Sequence, residues 1–150
     1  MGPITKWSAR LKEPHIFESG PPGRTHLIDA DSKLAPGPVE TLLGAILTCS
    51  ATDIIDILAK RRTPVRRFEA SITAHRRAEH PRRVMRLELE YHIDGDGIEP
   101  DHAERAIELA FEGYCTVVAS LGPDILAQSL LVLNGRHGEP RPRRMWTPPA

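Results

Sequence analysis

The chain has 150 residues, a formal net charge of zero, 40% apolar residues and 27% charged ones. These are the values of one globular domain, large enough to bury about 68–70% of the surface its unfolded form exposes. They leave no room for a membrane span: the longest uncharged runs, 41–52 and 113–123, fall short of the ~20 apolar residues a span requires.

Residues 1–12 hold no apolar core of the secretory type, so the chain is expected in the cytoplasm, with no membrane partner. Residues 3–30 read as short extended pieces. Trp7, Ala9 and Leu11 alternate with polar residues, Gly20-Pro21-Pro22-Gly23 is a strong turn signal, and Thr25 to Ala30 can form the strand after it.

A long apolar segment begins after Pro36-Gly37-Pro38. Val39, Leu42, Leu43, Ile46, Leu47, Ile54, Ile55, Ile57 and Leu58 cover nearly every side of a helix, and a helix apolar all round is a buried one. Pro38 suits the first helical position. Glu40 near the start and Lys60, Arg61 and Arg62 near the end complement the helix dipole, and Pro64 stops it. The segment predicts a helix over about 38–61.

Two alternating runs follow, Phe68 to Ala74 and Met85 to Ile93, joined by residues 76–83 as a hairpin. Asp94 to Gly97 is a turn. Ala103, Ala106, Ile107, Ala110 and Phe111 then make one helical stripe that Gly113 ends. Cys115 to Leu121 is a short apolar piece, and Ile125 to Leu133 reads as a last, buried strand. The tail from Gly135 is rich in Pro and Arg, lacks apolar periodicity and is expected to be loosely held. The order predicts an α/β (α+β) domain over 1–134 with a C-terminal tail over 135–150. Three small pieces of sheet from one chain cover such a central helix with little to spare, so a partner on its other side, and hence a homodimer, is expected.

Charge is unevenly placed. Lys60 to Arg86 carries ten Lys or Arg and two acids, whereas Glu88 to Glu112 carries nine acids and one base, Arg105. Two solvated faces, or complementary faces meeting in a dimer, account for this. A nucleic-acid surface is disfavoured, because only Phe68 supplies an aromatic ring for stacking in the basic segment.

The two cysteines, Cys49 and Cys115, are core residues or a working redox pair. Cys49 lies in the most apolar helix, as an inert buried thiol or a reactive one. Asp53 is four residues on and therefore on the same helix face. A carboxylate that close favours the neutral thiol, so a reactive Cys49 requires a cation from elsewhere: the arginines of the basic segment, Arg24 or Arg10. If the segment after Cys115 is helical, that thiol sits at its N-terminus, where the dipole favours thiolate. The histidines show no ligand spacing that converges with cysteines or carboxylates, so no metal and no cofactor is expected.

The stretch Pro36 to Arg61, PGPVETLLGAILTCSATDIIDILAKR, resembles the first signature of the OsmC/Ohr family, in which a Pro opens the helix and a Cys follows eleven residues later, as Pro38 and Cys49 do here. Ala106 to Ser120, AIELAFEGYCTVVAS, resembles the second, where a Tyr-Cys pair follows an amphipathic helix. The resemblance covers roughly residues 4–134 and implies an OsmC/Ohr-like fold, with a long buried central helix wrapped by N-terminal and C-terminal sheets in an intertwined homodimer. It also implies a thiol-dependent peroxidase acting on organic hydroperoxides or hydrogen peroxide. Cys49 would attack and become a sulfenic acid, Cys115 would resolve it to a disulfide, and a dithiol reductant would restore both. The alternative is a non-catalytic OsmC-like homodimer that binds a small apolar or oxidised ligand.

In the hydroperoxide branch of that family a Glu directly after the Pro holds an Arg against the reactive Cys. Here Val39 follows Pro38 and the acid is Glu40, about 100° further round the helix and about 13 Å along the axis from Cys49. Glu40 is therefore either a supporting residue or a first-turn cap. Arg24 is the candidate for the supporting Arg.

Overall fold

The computed structural model describes residues 2–150, and the chain divides into two compact units, Met1–Gly44 and Ala45–Ala150. The first holds an antiparallel meander of β1 (Ser8–Glu13), β2 (Ile16–Gly20) and β3 (His26–Asp29). Gly20 and Gly23 bracket the β2–β3 turn, where Gly23 takes a φ of 76° that disfavours other residues. Trp7 donates its indole N–H to Ser19 Oγ at 2.5 Å. Asp29, at the end of β3, is buried and accepts the N–H groups of Asp31, Lys33 and Leu34. Those donors hold its carboxyl below the ordinary value, the Leu34 N–H most strongly.

The loop so pinned delivers Pro38 to the start of α1 (Pro38–Lys60). The Thr41 N–H already reaches back to the Gly37 carbonyl at 2.9 Å, so the helical ladder starts at once. Uncharged runs alone leave no span, but α1 as a whole is long and apolar enough to cross a bilayer, because its few charges lie among many apolar residues. Here its Ile46, Ser50, Ile54 and Leu58, one stripe at four-residue spacing, are buried.

The sequence predicts burial on nearly every side of α1. Within one chain the burial is one-sided. Leu42 is 37% exposed, and Leu43, Leu47, Ile55 and Ile57 are half-buried. A single sheet face can cover only one side of a cylinder.

In the second unit, β4 (Arg67–Arg76) and β5 (Val84–Asp94) form a long antiparallel hairpin. The chain then crosses over through α2 (Pro100–Leu109), a π-helical turn (Ala110–Tyr114) and α3 (Thr116–Ala119). It returns as β6 (Leu126–Leu133), parallel to β5. Leu87, Leu89, Tyr91 and Ile93 of β5 and Ala127, Ser129, Leu131 and Leu133 of β6 are side-by-side neighbours and all buried. The intervening Glu88, Glu90 and His92 alternate to the wetter face, as period two requires.

The two charge blocks meet on this hairpin. Register places Thr73 beside Glu88, His75 beside Arg86 and Arg67 beside Asp94. Arg67 pairs with Glu69, Arg66 with Asp96, and His75 and Arg86 both with Glu88.

Two local expectations change. Gly113 does not end the crossover helix: α2 stops at Leu109, and a wider turn follows in which the Cys115 N–H donates to the Ala110 carbonyl at 2.9 Å. The tail is not loosely held. β7 (Arg136–His137) and β8 (Arg141–Arg143) both pair with β6, and Met145 is buried. Backbone pairing and one buried ion pair hold this segment, and neither leaves an apolar period. The Arg143 guanidinium donates to Ser129 Oγ at 2.7 Å and to the buried Glu104 carboxylate, whose other oxygen lies 3.7 Å from Arg141.

Candidate functional site

The 66 positions between the two cysteines close up in the fold. The sulfurs of Cys49 and Cys115 and a carboxylate oxygen of Asp53 all lie within 4.8 Å of one another. Both thiols are free. Cys49 sits one residue before the buried Ser50, which turns it to the edge of the buried stripe and leaves it half-buried. Ser50 fixes that rotation: its Oγ lies 2.8 Å from the Tyr91 hydroxyl beneath the helix and donates to the Leu47 carbonyl at 3.2 Å. Burial holds the Tyr91 hydroxyl well above the usual phenol range, so it stays neutral.

Cys115 is the residue just before α3, where its sulfur accepts the Val118 N–H at 3.4 Å. A helix dipole at this position is expected to favour thiolate. The outcome is the reverse. Cys115 is only 1% exposed, and burial, followed by the Cys49 sulfur beside it, pushes its thiol up to about 12; the Val118 and Val117 N–H groups oppose this but do not prevail. A one-turn helix supplies too little dipole to offset desolvation of a thiolate.

Asp53 stands one helical turn after Cys49. Its Oδ2 is buried and has no hydrogen-bond partner. Burial, and then the charge of Asp56, push its carboxyl up toward the neutral acid. The sequence treats Asp53 as a charge opposing Cys49; in the fold burial raises that carboxyl above its ordinary value as well. Four-residue spacing already places Asp53 on the Cys49 face of α1; what the fold adds is Cys115 beside both.

The remaining candidates lie in the first unit. Glu40 is exposed, and its Oε2 accepts the Gly37 N–H at 2.7 Å, which is the return half of a capping box. Arg24 is exposed in the turn before β3 and makes no ion pair among the described residues. In the basic segment, Arg66, Arg67, Arg77, Arg83 and Arg86 are each held by an acid. Sequence reasoning missed Ser50, Tyr91 and Arg143. Alternation marks Tyr91 as inward-facing, but nothing in the sequence marks its partner.

The chain thus combines a crossover α/β fold with a half-buried thiol set against a buried one. Residues 30–127 match the family described as OsmC-like protein, and this chain belongs to that family. Protein YhfA of Escherichia coli strain K12 is 36% identical over 100 residues, 66% of this chain and 75% of YhfA. A hypothetical protein from Aquifex aeolicus VF5 superimposes with a TM-score of 0.81 at 23% identity, over 98% of this chain and 100% of that one. A putative organic hydroperoxide resistance protein from Vibrio cholerae, with captopril bound in one of its active sites, superimposes with a TM-score of 0.62 at 13% identity. It covers 92% of this chain and 97% of its own. The fold is thus that of OsmC and Ohr.

Proposed function

We propose that the chain is a thiol-dependent peroxidase that reduces organic hydroperoxides or hydrogen peroxide. The observation that carries this reading is the approach of the two sulfurs to within 4.8 Å, one half-buried and one buried. Cys49, the more accessible thiol, loses its proton and attacks the outer peroxide oxygen. The O–O bond breaks, an alcohol or water leaves after taking a proton, and Cys49 becomes a sulfenic acid. Cys115 then attacks the Cys49 sulfur, water leaves, and a disulfide joins the two. A dithiol reductant returns both to thiols. Arg24 is assigned as the cation that favours the Cys49 thiolate, with Glu40 as a supporting residue through its hold on the start of α1.

The working form in this reading is a cytoplasmic homodimer. Support comes from the apolar side chains that one chain leaves uncovered: Trp7, Leu11, Leu27, Leu34 and Leu42 are all exposed. Sedimentation at micromolar concentration should give twice the chain mass; a stable monomer would reject the dimer.

The catalytic test is chemical. Reduced protein treated with one equivalent of cumene hydroperoxide should lose two hydrogens in a crosslink between the Cys49 and Cys115 peptides. Cys115→Ser should stop at a Cys49 sulfenic acid that dimedone captures. Free thiols persisting under excess peroxide would refute the peroxidase.

A further inference from the structure

The cluster at the site contains more than a redox pair requires. Forming a disulfide uses two sulfurs, yet a third potential ligand atom, from Asp53, lies within 4.8 Å of both. Asp53 also carries the one buried side-chain oxygen that finds no hydrogen-bond partner among the described residues. Such an orphan calls for a water or an ion that satisfies it.

We propose that Cys49, Asp53 and Cys115, in the reduced protein, form a three-ligand site for a zinc ion whose fourth position is open to water. Cys49 and Asp53 are spaced i, i+4 on α1, which presents two ligands from one helix face as metal-binding helices do. Cys115 closes the site from the start of α3. Ideal zinc bonds put tetrahedral neighbours about 3.8 Å apart for sulfur–sulfur and about 3.5 Å for sulfur–oxygen. The 4.8 Å spread of the three atoms reaches that geometry by side-chain movements of under about 1 Å.

The ligand chemistry selects the ion. Two thiolates exclude magnesium and calcium, which take oxygen ligands, while a thiolate–carboxylate set with an open position suits zinc. Binding releases the thiol protons to solvent as the two S–Zn bonds form. Ser50 and Tyr91, which set the rotation of α1, also hold Cys49 in line with the other two ligands.

The site is also redox-gated. Once the two thiols lose two electrons and two protons and join as a disulfide, both thiolate ligands are gone, only Asp53 remains, and zinc must leave. This inference needs the two thiols close and reduced but no peroxide chemistry. A chain that consumes no peroxide when metal-free and still takes up zinc would refute the peroxidase reading and leave the site intact.

The test is anaerobic titration of the reduced, metal-free full chain with zinc against a chromophoric chelator, with cobalt as a spectroscopic stand-in. One zinc per chain is expected, and cobalt should show thiolate-to-metal charge-transfer absorption with the intense visible bands of a four-coordinate ion. Asp53→Asn should weaken zinc binding at least tenfold, and Cys49→Ser or Cys115→Ser about a hundredfold. Wild-type chain oxidised with diamide, which takes up the two electrons and two protons, keeps its sequence and should bind no zinc. Undetectable binding by reduced wild type, undiminished affinity in Asp53→Asn, or equal binding by the oxidised chain would each overturn the site.

Discussion

The buried Cys115 thiol makes a definite demand on stability at alkaline pH. Folding raises it from an ordinary 9.0 to about 12. The folded chain therefore keeps this proton in a range where the unfolded chain sheds it. The stabilising preference for the folded state is complete below pH 9 and is lost as pH rises toward 12. Each unit in that window is worth about 1.4 kcal/mol, so about 2 kcal/mol should be gone by pH 10.5. Cys115 is 1% exposed, so solvent screening leaves this order of magnitude intact. Other groups titrate over the same range, and a comparison with Cys115→Ala removes them. Urea denaturation of both reduced proteins at pH 8 and pH 10.5 should show the wild type losing about 2 kcal/mol more than the variant. An equal loss in both would refute the claim that burial governs this thiol.

Other expectations concern single contacts. Arg24→Met keeps the apolar stem and removes the charge, and should lower single-turnover peroxide consumption at least tenfold, about 1.4 kcal/mol of barrier; an unchanged rate rejects Arg24 as the activating cation. Arg143→Met leaves Glu104 buried with only Arg141 at 3.7 Å, and should cost about 3 kcal/mol in urea denaturation; a loss under about 1 kcal/mol would mean the pair does not anchor the tail. Tyr91→Phe removes the Ser50 contact while Ser50 keeps its bond to Leu47, and should cost about 1 kcal/mol with an unchanged denaturant slope. A stabilised variant would contradict that contact.

Much of the fold was legible because it rests on local periodicity. Pro38, the apolar spacing to Leu58 and Pro64 outline α1 to within one residue of its observed end. Strict alternation from Met85 to Ile93 gives β5 its faces. The tail strands were not legible, since β7 and β8 depend on pairing with β6 and on a buried Arg143–Glu104 contact rather than on any apolar pattern. The cysteines could be named from the two signatures, but their electrostatics could not be read. At Cys115 burial outweighs the helix dipole, and burial leaves no mark in the local sequence. Nor does spacing on α1 show that burial raises the Asp53 carboxyl too.

The parallel pairing of β5 with β6 sets when this site comes into being. Arg86 meets Leu126 and Ile93 meets Leu133, across a connection that includes α2, the wide turn and α3. Such closure is non-local and slow to nucleate compared with the β4–β5 hairpin or α1. Cys115 rides in that connection, so it reaches Cys49 only after the crossover has docked. The nascent or partly folded chain thus carries its two thiols far apart in an expanded ensemble. In the proposed peroxidase cycle, a bond between them is then a report on completed folding rather than a constraint that guides it.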